Sequence, residues 1–453
     1  MSETAKGVTA RHWAVVGGGL LGLTMARRLS QAGHSVTLYE AAPTLGGLAA
    51  PWSLDGVVWD RHYHVILRSD SHTRALLAEL GLEDEIRWVA TRTGFYGDGR
   101  WAPLGNAIDY LKLPVLSLVD KVRLAATILA VGRIRDWRRL ERTPLEGWLV
   151  RMSGRRAFER LWRPLLRAKL GESWRESSAA FLWATIRRLH GARGNGVGRE
   201  QLGWVPGGYA RILEHFERKL LDTGVTLRVG EPVESIEAID GTSGGVVIRT
   251  AEGEEPFERA VVTLTPSRAA GLCTSLSDDA RARMRGVRYQ GIVCASLLLE
   301  SPLTGYYLTY LTDALPFTSV IEMSALVDPA QFGGRTLVYL PRYEASDGPF
   351  FDLPDHEVEK VFLDGLERIL PDFRRADVAC FRVSRVREVF PVPTLRYSET
   401  VPPRETSVPG LHLVSSAHIV NGTLNVNETV QLAEQSAEAL LRSDGLDAGR
   451  APA

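Results

Sequence analysis

Apolar residues recur along this chain in two rhythms, and each change of rhythm marks a change of element. Ala14-Val15-Val16 is a short continuous apolar run suited to a buried parallel strand; Leu23, Ala26 and Leu29 follow at helical spacing, with Gly33 as a stop. Val36-Thr37-Leu38-Tyr39 predicts a second strand ending on Glu40. Trp52 to Leu67 reads as a hairpin turning at Asp55-Gly56, and a helix runs from about His72 to Leu80, stopped by Gly81. From Trp101 to Glu200 the pattern is helical: Leu118, Val122, Ala125 and Leu129 share a face, with further helices over Leu145–Met152, Ala157–Leu170 and Ser178–Leu189. Tyr209, Ile212, Leu213, Phe216 and Leu220 line another helix, ended by Gly224, and strands follow at Val225–Val229, Val233–Ile236, Val246–Thr250 and Ala260–Leu264. Arg285 to Val392 is strand-rich, with runs at Ile292–Leu299, Tyr306–Leu311, Thr318–Met323 and Thr336–Leu340 and one helix over His356–Leu370. The last elements are a strand at Gly410–Val414, a loop from Ser415 to Thr423, and a helix Thr429–Leu441 with Asn425 as its cap and Glu428 as the return partner. Residues Met1 to Ala10 are small and polar and are expected to fray.

The first strand, helix and second strand frame a motif. Gly17-Gly18-Gly19-Leu20-Leu21-Gly22 fits G-x-G-x-x-G where the strand gives way to the helix. Such glycines let the backbone turn tightly and approach a pyrophosphate, whose charge then meets free N–H groups of Leu20, Leu21 and Gly22. Glu40 ends the second strand, where an acid accepts from a ribose 2′-OH, so the ligand is a dinucleotide lacking a 2′-phosphate. A loop then leads to a second close-approach pair, Gly46-Gly47, followed by Leu48.

This extended fingerprint resembles that of the FAD-dependent amine oxidase superfamily, which includes protoporphyrinogen oxidases, phytoene desaturases and, more distantly, UDP-galactopyranose mutase. The resemblance implies FAD, bound by Gly17, Gly19, Leu20, Leu21, Gly22, Glu40, Gly46, Gly47 and Leu48. It also implies an α/β fold: a discontinuous Rossmann-type FAD domain like that of glutathione reductase, a mixed β-sheet substrate domain and a helical insertion. On the sequence pattern the FAD domain takes residues 1–100, 204–284 and 395–453, the insertion 101–203 and the substrate domain 285–394. The family's D-x-G-x-H is matched by Asp60-Arg61-His62-Tyr63-His64, with His62 where glycine is usual. Pro206-Gly207-Gly208, then helix, strand and V-x-x-I, match a second family segment, in which the main chain at the position of Val233 holds the adenine end of FAD. Near the C-terminus the family strand ends in Gly-Asp; this chain has Ser415-Ser416, leaving Ser416 or Asn425 to supply the polar contact.

Composition narrows the setting. The 453 residues suffice for two domains' worth of core. With 54 basic and 54 acidic residues there is no global pull toward nucleic acid. Cys273, Cys294 and Cys380 form no metal-ligand or disulfide pattern, no metal site is expected, and a reducing cytoplasm is the expected compartment. No apolar stretch is long enough to span a bilayer. Residues 101–200, however, hold 20 basic against 9 acidic residues and six of the eleven tryptophans. Arginine with tryptophan suits a lipid headgroup region, so peripheral membrane association through 101–200 is expected. Oligomeric state is not legible.

Two readings of the chemistry follow, and a third needs none. In the first, a hydrophobic substrate, isoprenoid- or porphyrinogen-like, gives hydride to flavin N5 in an oxidase- or desaturase-like oxidoreductase, the reacting carbon lying between the flavin and His62, His64, Glu322 and Arg342. Tyr339 and Arg387 also stand in or beside the strands of that region. A small amine is disfavoured, because from Ser415 to Asn427 there is no Trp, Tyr or Phe to build an aromatic cage at the flavin. In the second, a redox-neutral isomerase or mutase uses the arginines to clamp phosphate. The third is a non-catalytic prenyl-binding protein of the GDP-dissociation-inhibitor type.

Overall fold

The computed structural model describes residues 10–104, 109–110, 112–192, 201–239, 244–420 and 422–447; the expected frayed start, Ala10 apart, and residue 421 of the C-terminal loop lie outside them. A parallel sheet of five strands carries the glycine motif. Its order is Thr226–Val229, β2 (Ser35–Glu40), β1 (His12–Val16), Arg259–Val262, Leu411–Leu413. The helix α1 (Leu20–Gln31) leaves β1 and packs on the C-terminal helix Val426–Asp447, burying Leu23, Met25, Ala26 and Leu29. Segments from both ends and the middle of the chain thus build one sheet, and the helix Gly208–Asp222 packs into the same core through Tyr209, Ile212, Leu213, Phe216 and Leu220.

A second sheet has seven strands in the order Val378–Pro391, Tyr289–Leu299, Thr336–Ala345, Ser319–Glu322, Leu308–Leu311, Thr93–Gly97, Arg100–Pro103. Its second strand, Tyr289–Leu299, is buried at every residue because both its faces are covered. Ile292, Cys294 and Leu298 pack with Tyr339 toward Trp59; Val293, Ala295, Leu297 and Leu299 pack with Val338 and Leu340 against the helix Asp355–Ile369. Thr93–Gly97 joins through a parallel pair with Leu308–Leu311, so this sheet draws a strand from the residues 1–100 that the sequence pattern gave to the FAD domain. That pairing is non-local and leaves no local signature.

Against the seven-stranded sheet packs a helical layer with its own core, built on Leu124, Val131, Trp148, Leu149, Phe158, Trp174 and Trp183. The single helix expected over Ala157–Leu170 is interrupted: Phe158–Trp162 is a π-turn ahead of the helix Arg163–Leu170, which has Pro164 in its first turn. Proline has no N–H to give and its ring crowds the preceding turn, so the backbone widens there. The predicted hairpin is present as Pro51–Leu54 paired with Val57–Asp60, turning at Asp55 and Gly56, both at positive φ.

Candidate active site

The glycine motif forms a cradle whose parts can be separated by what a side chain would meet. At Gly17, φ is +112°, and its N–H donates to Tyr39 O (2.8 Å), which turns the chain off the end of β1. A Cβ on Gly22 would lie 1.9 Å from Gly17 O, so the turn packs on the first coil of α1 with no room for any side chain. Gly19 differs: its φ of −73° suits any residue, and a Cβ there would meet only Gly47 Cα, 3.9 Å away. Gly46, at φ +116°, is held alongside by its N–H bond to Gly18 O (2.8 Å). Helix α1 therefore opens beside a glycine-walled gap, with no side-chain cap and no acid in its first turn. Its first N–H groups, at Leu20, Leu21 and Gly22, have no intrahelical acceptor, which suits an anion.

Glu40 closes one side of the cradle. Its Oε2 accepts from Gly18 N (2.7 Å) and its Oε1 from Ala42 N (2.8 Å). A carboxylate has about four acceptor sites, so two N–H bonds still leave capacity for a ribose hydroxyl. Gly230 N and Glu231 N bond Ala42 O and Glu40 O, drawing the chain alongside just before Val233, which opens its strand next to a register shift between Val233 and Ser235. At the other end of the site Ser416 Oγ bonds Tyr289 OH (3.0 Å), and Asn425 Oδ1 accepts from Glu428 N (3.1 Å) as the helix cap. The Glu428 carboxylate lies against Gly422. These residues fit FAD: an open cradle for the pyrophosphate, an anchored acid for ribose, and a helix N-terminus at Asn425 for the far end.

The D-R-H-Y-H segment lies between the two sheets. Asp60 is buried and its Oδ1 accepts from Tyr209 N (2.8 Å), capping the helix that Gly207 and Gly208 introduce at positive φ. Burial pushes its carboxyl up to about 7, against the opposing pull of that N–H bond. His62 Nδ1 lies 3.2 Å from Leu48 O and its Nε2 3.1 Å from Ser384 Oγ. A carbonyl only accepts, so Nδ1 carries the proton and Nε2 accepts from the serine. Burial lowers the His62 pKa to about 4, making it neutral at pH 7. The side chain that glycine would lack thus ties Leu48, beside the cradle, to the seven-stranded sheet. His64 Nδ1 donates to His62 O (2.9 Å), its ring packs on Tyr209, and burial lowers its pKa likewise to about 4.

Tyr63 OH bonds Tyr343 OH (2.8 Å), and Tyr343 meets Phe390 edge-on at 5.8 Å. Above them the helical layer places Lys169, its Nζ 3.6 Å from the Tyr343 ring centroid and 4.8 Å from that of Phe390. Gln290, paired with Phe390 across the strands, keeps a buried Nε2 without a partner among the described residues. Tyr63, Tyr343, Phe390, Lys169 and Gln290 were not singled out from sequence. A period of two along the strand puts Tyr343 on the face of Tyr339 and was the available signal; Lys169 had none.

Glu322 and Arg342 are not brought to this face. The Glu322 carboxylate accepts from Leu303 N (3.1 Å), Thr304 N (2.7 Å), Thr304 Oγ1 (2.8 Å) and Gly305 N (2.8 Å), holding a turn together. Arg342 bonds Glu344 (2.8 Å) and Pro316 O (3.0 Å) and lies over Phe350. Both point to the helix Asp355–Ile369 side, since Glu322 pairs with Val338 and Ile321 with Tyr339. Tyr339 does face the site, where its OH donates to Asp60 O (2.5 Å), while Arg387 is engaged by Asp352 and Ser346 O.

A glycine cradle at the end of a parallel strand, an acid on the next strand and a separate sheet facing it define a flavin-dependent oxidoreductase. The chain belongs to the family of flavin-containing amine oxidoreductases, whose model matches residues 22–441, and its cofactor is FAD. It is similar to the mitochondrial protoporphyrinogen oxidase of Nicotiana tabacum, 30% identical over 119 residues, 26% of this chain and 24% of that protein. Against the probable zeta-carotene desaturase of Synechococcus elongatus it is 26% identical over 260 residues, 52% of this chain and 53% of that protein. Coproporphyrinogen III oxidase of Mycobacterium tuberculosis matches at 38% over 138 residues, 29% of this chain and 30% of that protein. The chain thus spans between a quarter and about half of the length of these relatives. Among solved structures, reduced UDP-galactopyranose mutase superposes with a TM-score of 0.73 at 16% identity, covering 95% of this chain and 96% of that one. An oxidoreductase of Methanosarcina mazei does so with a TM-score of 0.73 at 19% identity, covering 94% and 100%. At such identities the likeness is one of fold.

Proposed function

We propose that this flavoenzyme, with a discontinuous Rossmann-type FAD domain, oxidises a hydrophobic substrate that carries an anionic group, of the porphyrinogen or isoprenoid phosphate kind. Bound FAD supplies the hydride acceptor. The protein's part is to place the substrate: Tyr63, Tyr343 and Phe390 offer an aromatic wall, and Ser416–Tyr289 joins that wall to the cofactor side. The carrying observation is Lys169. Its ammonium rests on two rings and has no carboxylate partner among the described residues, although arginines elsewhere in the helical layer are paired, as Arg167 and Arg175 are with Glu172. A cation held against rings and short of a counter-ion is a ready partner for a substrate carboxylate or phosphate. Relatives whose names are porphyrinogen oxidases and carotene desaturases support the hydrophobic part of this reading.

The test is anaerobic mixing of the holoprotein with porphyrinogens, polyprenyl phosphates, neutral polyprenoids and simple amines, following loss of flavin absorbance. Bleaching by a lipophilic anion is expected. Lys169→Met should then weaken that substrate by about 10- to 100-fold, one charge-assisted bond, and leave a neutral polyprenoid unchanged. Bleaching by a simple amine alone would overturn the assignment. The mutase reading keeps one specific support, the close superposition on UDP-galactopyranose mutase, and turnover without bleaching would favour it.

A further inference from the structure

We propose that the helix Leu118–Arg133 is a docking face for an anionic lipid bilayer. Its inward side is an ordinary buried stripe, with Leu124, Thr127 and Val131 packed into the helical core. Its outward side is the anomaly. Leu118, Val119, Val122 and Leu129 are 67%, 68%, 62% and 56% exposed, and among the described residues only four other large apolar side chains, scattered at Val58, Leu221, Ile239 and Leu395, are comparably bare. At 100° per residue Leu118, Val122, Leu129 and Arg133 fall within about 60° of one another, with Val119 beside them. A stripe of this kind costs free energy in water and is compensated when something apolar covers it.

Charge identifies what covers it. From the end of this helix into the next turn stand Arg133, Arg135, Arg138 and Arg139 against one acid, Asp136. All four arginines are exposed and none has a carboxylate partner among the described residues. Arg138 lies over Trp137, 4.9 Å from its ring, and Trp183 anchors the same corner by donating to Ile134 O (2.9 Å). Apolar stripe, adjoining arginines and a tryptophan between them are the parts of an interfacial helix, which lies in the headgroup plane and does not cross. No helix among the described residues is long and apolar enough to span a membrane. The core of the same helical layer runs on to Tyr343 and Phe390, so one packed cluster joins this helix to the aromatic wall.

Flotation of the FAD-loaded protein with vesicles tests this independently of the substrate reading, because it contains no turnover. Wild type is expected to float with phosphatidylcholine–phosphatidylglycerol vesicles at low salt, weakly with phosphatidylcholine alone, and less as salt rises. Combined Leu118→Ser, Val122→Ser and Leu129→Ser should cut binding by at least about tenfold at every salt. Combined Arg135→Gln, Arg138→Gln and Arg139→Gln should cut it by about fivefold per charge at low salt only. Both variants should keep their flavin content and melting temperature, since the altered side chains are exposed. Absence of flotation, or equal flotation of wild type and variants, would overturn the proposal. So would a wild-type dimer that the serine variant splits, which would make a second copy of the chain the occupant.

Discussion

Gly19→Ala and Gly22→Ala lie three positions apart in the same motif, and the structure gives them opposite fates. At Gly19 the backbone sits at φ −73° and ψ 171°, and a new methyl would find only Gly47 Cα at 3.9 Å. The apoprotein should therefore lose nothing; removal of unfolded-state freedom favours the variant by about 0.4–1 kcal/mol. That methyl, however, occupies the gap in which a pyrophosphate would approach the first N–H groups of α1. Loss of two charge-assisted bonds at about 1.5–3 kcal/mol each weakens FAD by roughly 10²- to 10⁴-fold. At Gly22 the methyl would stand 1.9 Å from Gly17 O and 3.0 Å from Thr263 Oγ1. The β1–α1 turn cannot yield without giving up its packing, at a cost of about 3 kcal/mol or more. The assay pairs apoprotein melting with FAD titration by fluorescence quenching. Apo Gly19→Ala should melt at or slightly above apo wild type and stay colourless, whereas Gly22→Ala should melt early. A Gly19→Ala protein that binds FAD like wild type would refute the placement of the pyrophosphate.

Three further outcomes follow. Glu322→Gln turns an NH2 toward one of four backbone and hydroxyl donors and should cost about 1–3 kcal/mol in denaturant unfolding while kcat of the folded fraction is unchanged; a selective loss of kcat would return Glu322 to the chemistry. Glu40→Ala should loosen both Gly18 and Ala42 and release FAD on dilution, read as flavin lost through a desalting column. His62, with its folded pKa lowered to about 4 by burial, binds its proton in the unfolded chain first, so its contribution is present above about pH 6.5 and is lost as pH falls toward 4. His62→Gln should therefore flatten the stability–pH slope between these limits by about 1.4 kcal/mol per unit, and an unchanged slope would show that His62 is not buried neutral.

What the sequence disclosed and what it withheld divide by range. The cradle is local: Gly17 to Gly22, Glu40 and Gly46–Gly47 all lie within one strand–helix–strand–loop passage, and backbone sterics dictate each glycine without reference to the rest of the chain. The facing wall is not local. Tyr63 and Tyr343 meet across 280 positions of chain, and Lys169 reaches them from a third segment. Which face Glu322 and Arg342 take depends on strand register with Val338 and Val293, their partners on neighbouring strands, and a register slip shifts a side chain to the opposite face with each single step. His62 was legible as an oddity but not as a link, because its partner Ser384 lies on the edge of the distant sheet. The exposed stripe on Leu118–Arg133 is the converse case: the apolar periodicity was visible, but only the packing shows that part of it faces outward.

The most direct test of the central claim is a crystal structure of the FAD complex. The account predicts the pyrophosphate between Gly19 and Gly47 at the start of α1, a ribose hydroxyl on Glu40, and the flavin ring at the Ser416–Tyr289 end facing Tyr63, Tyr343 and Lys169. A flavin ring turned away from that wall, or a nucleotide that leaves the Gly19–Gly47 gap empty, would contradict it.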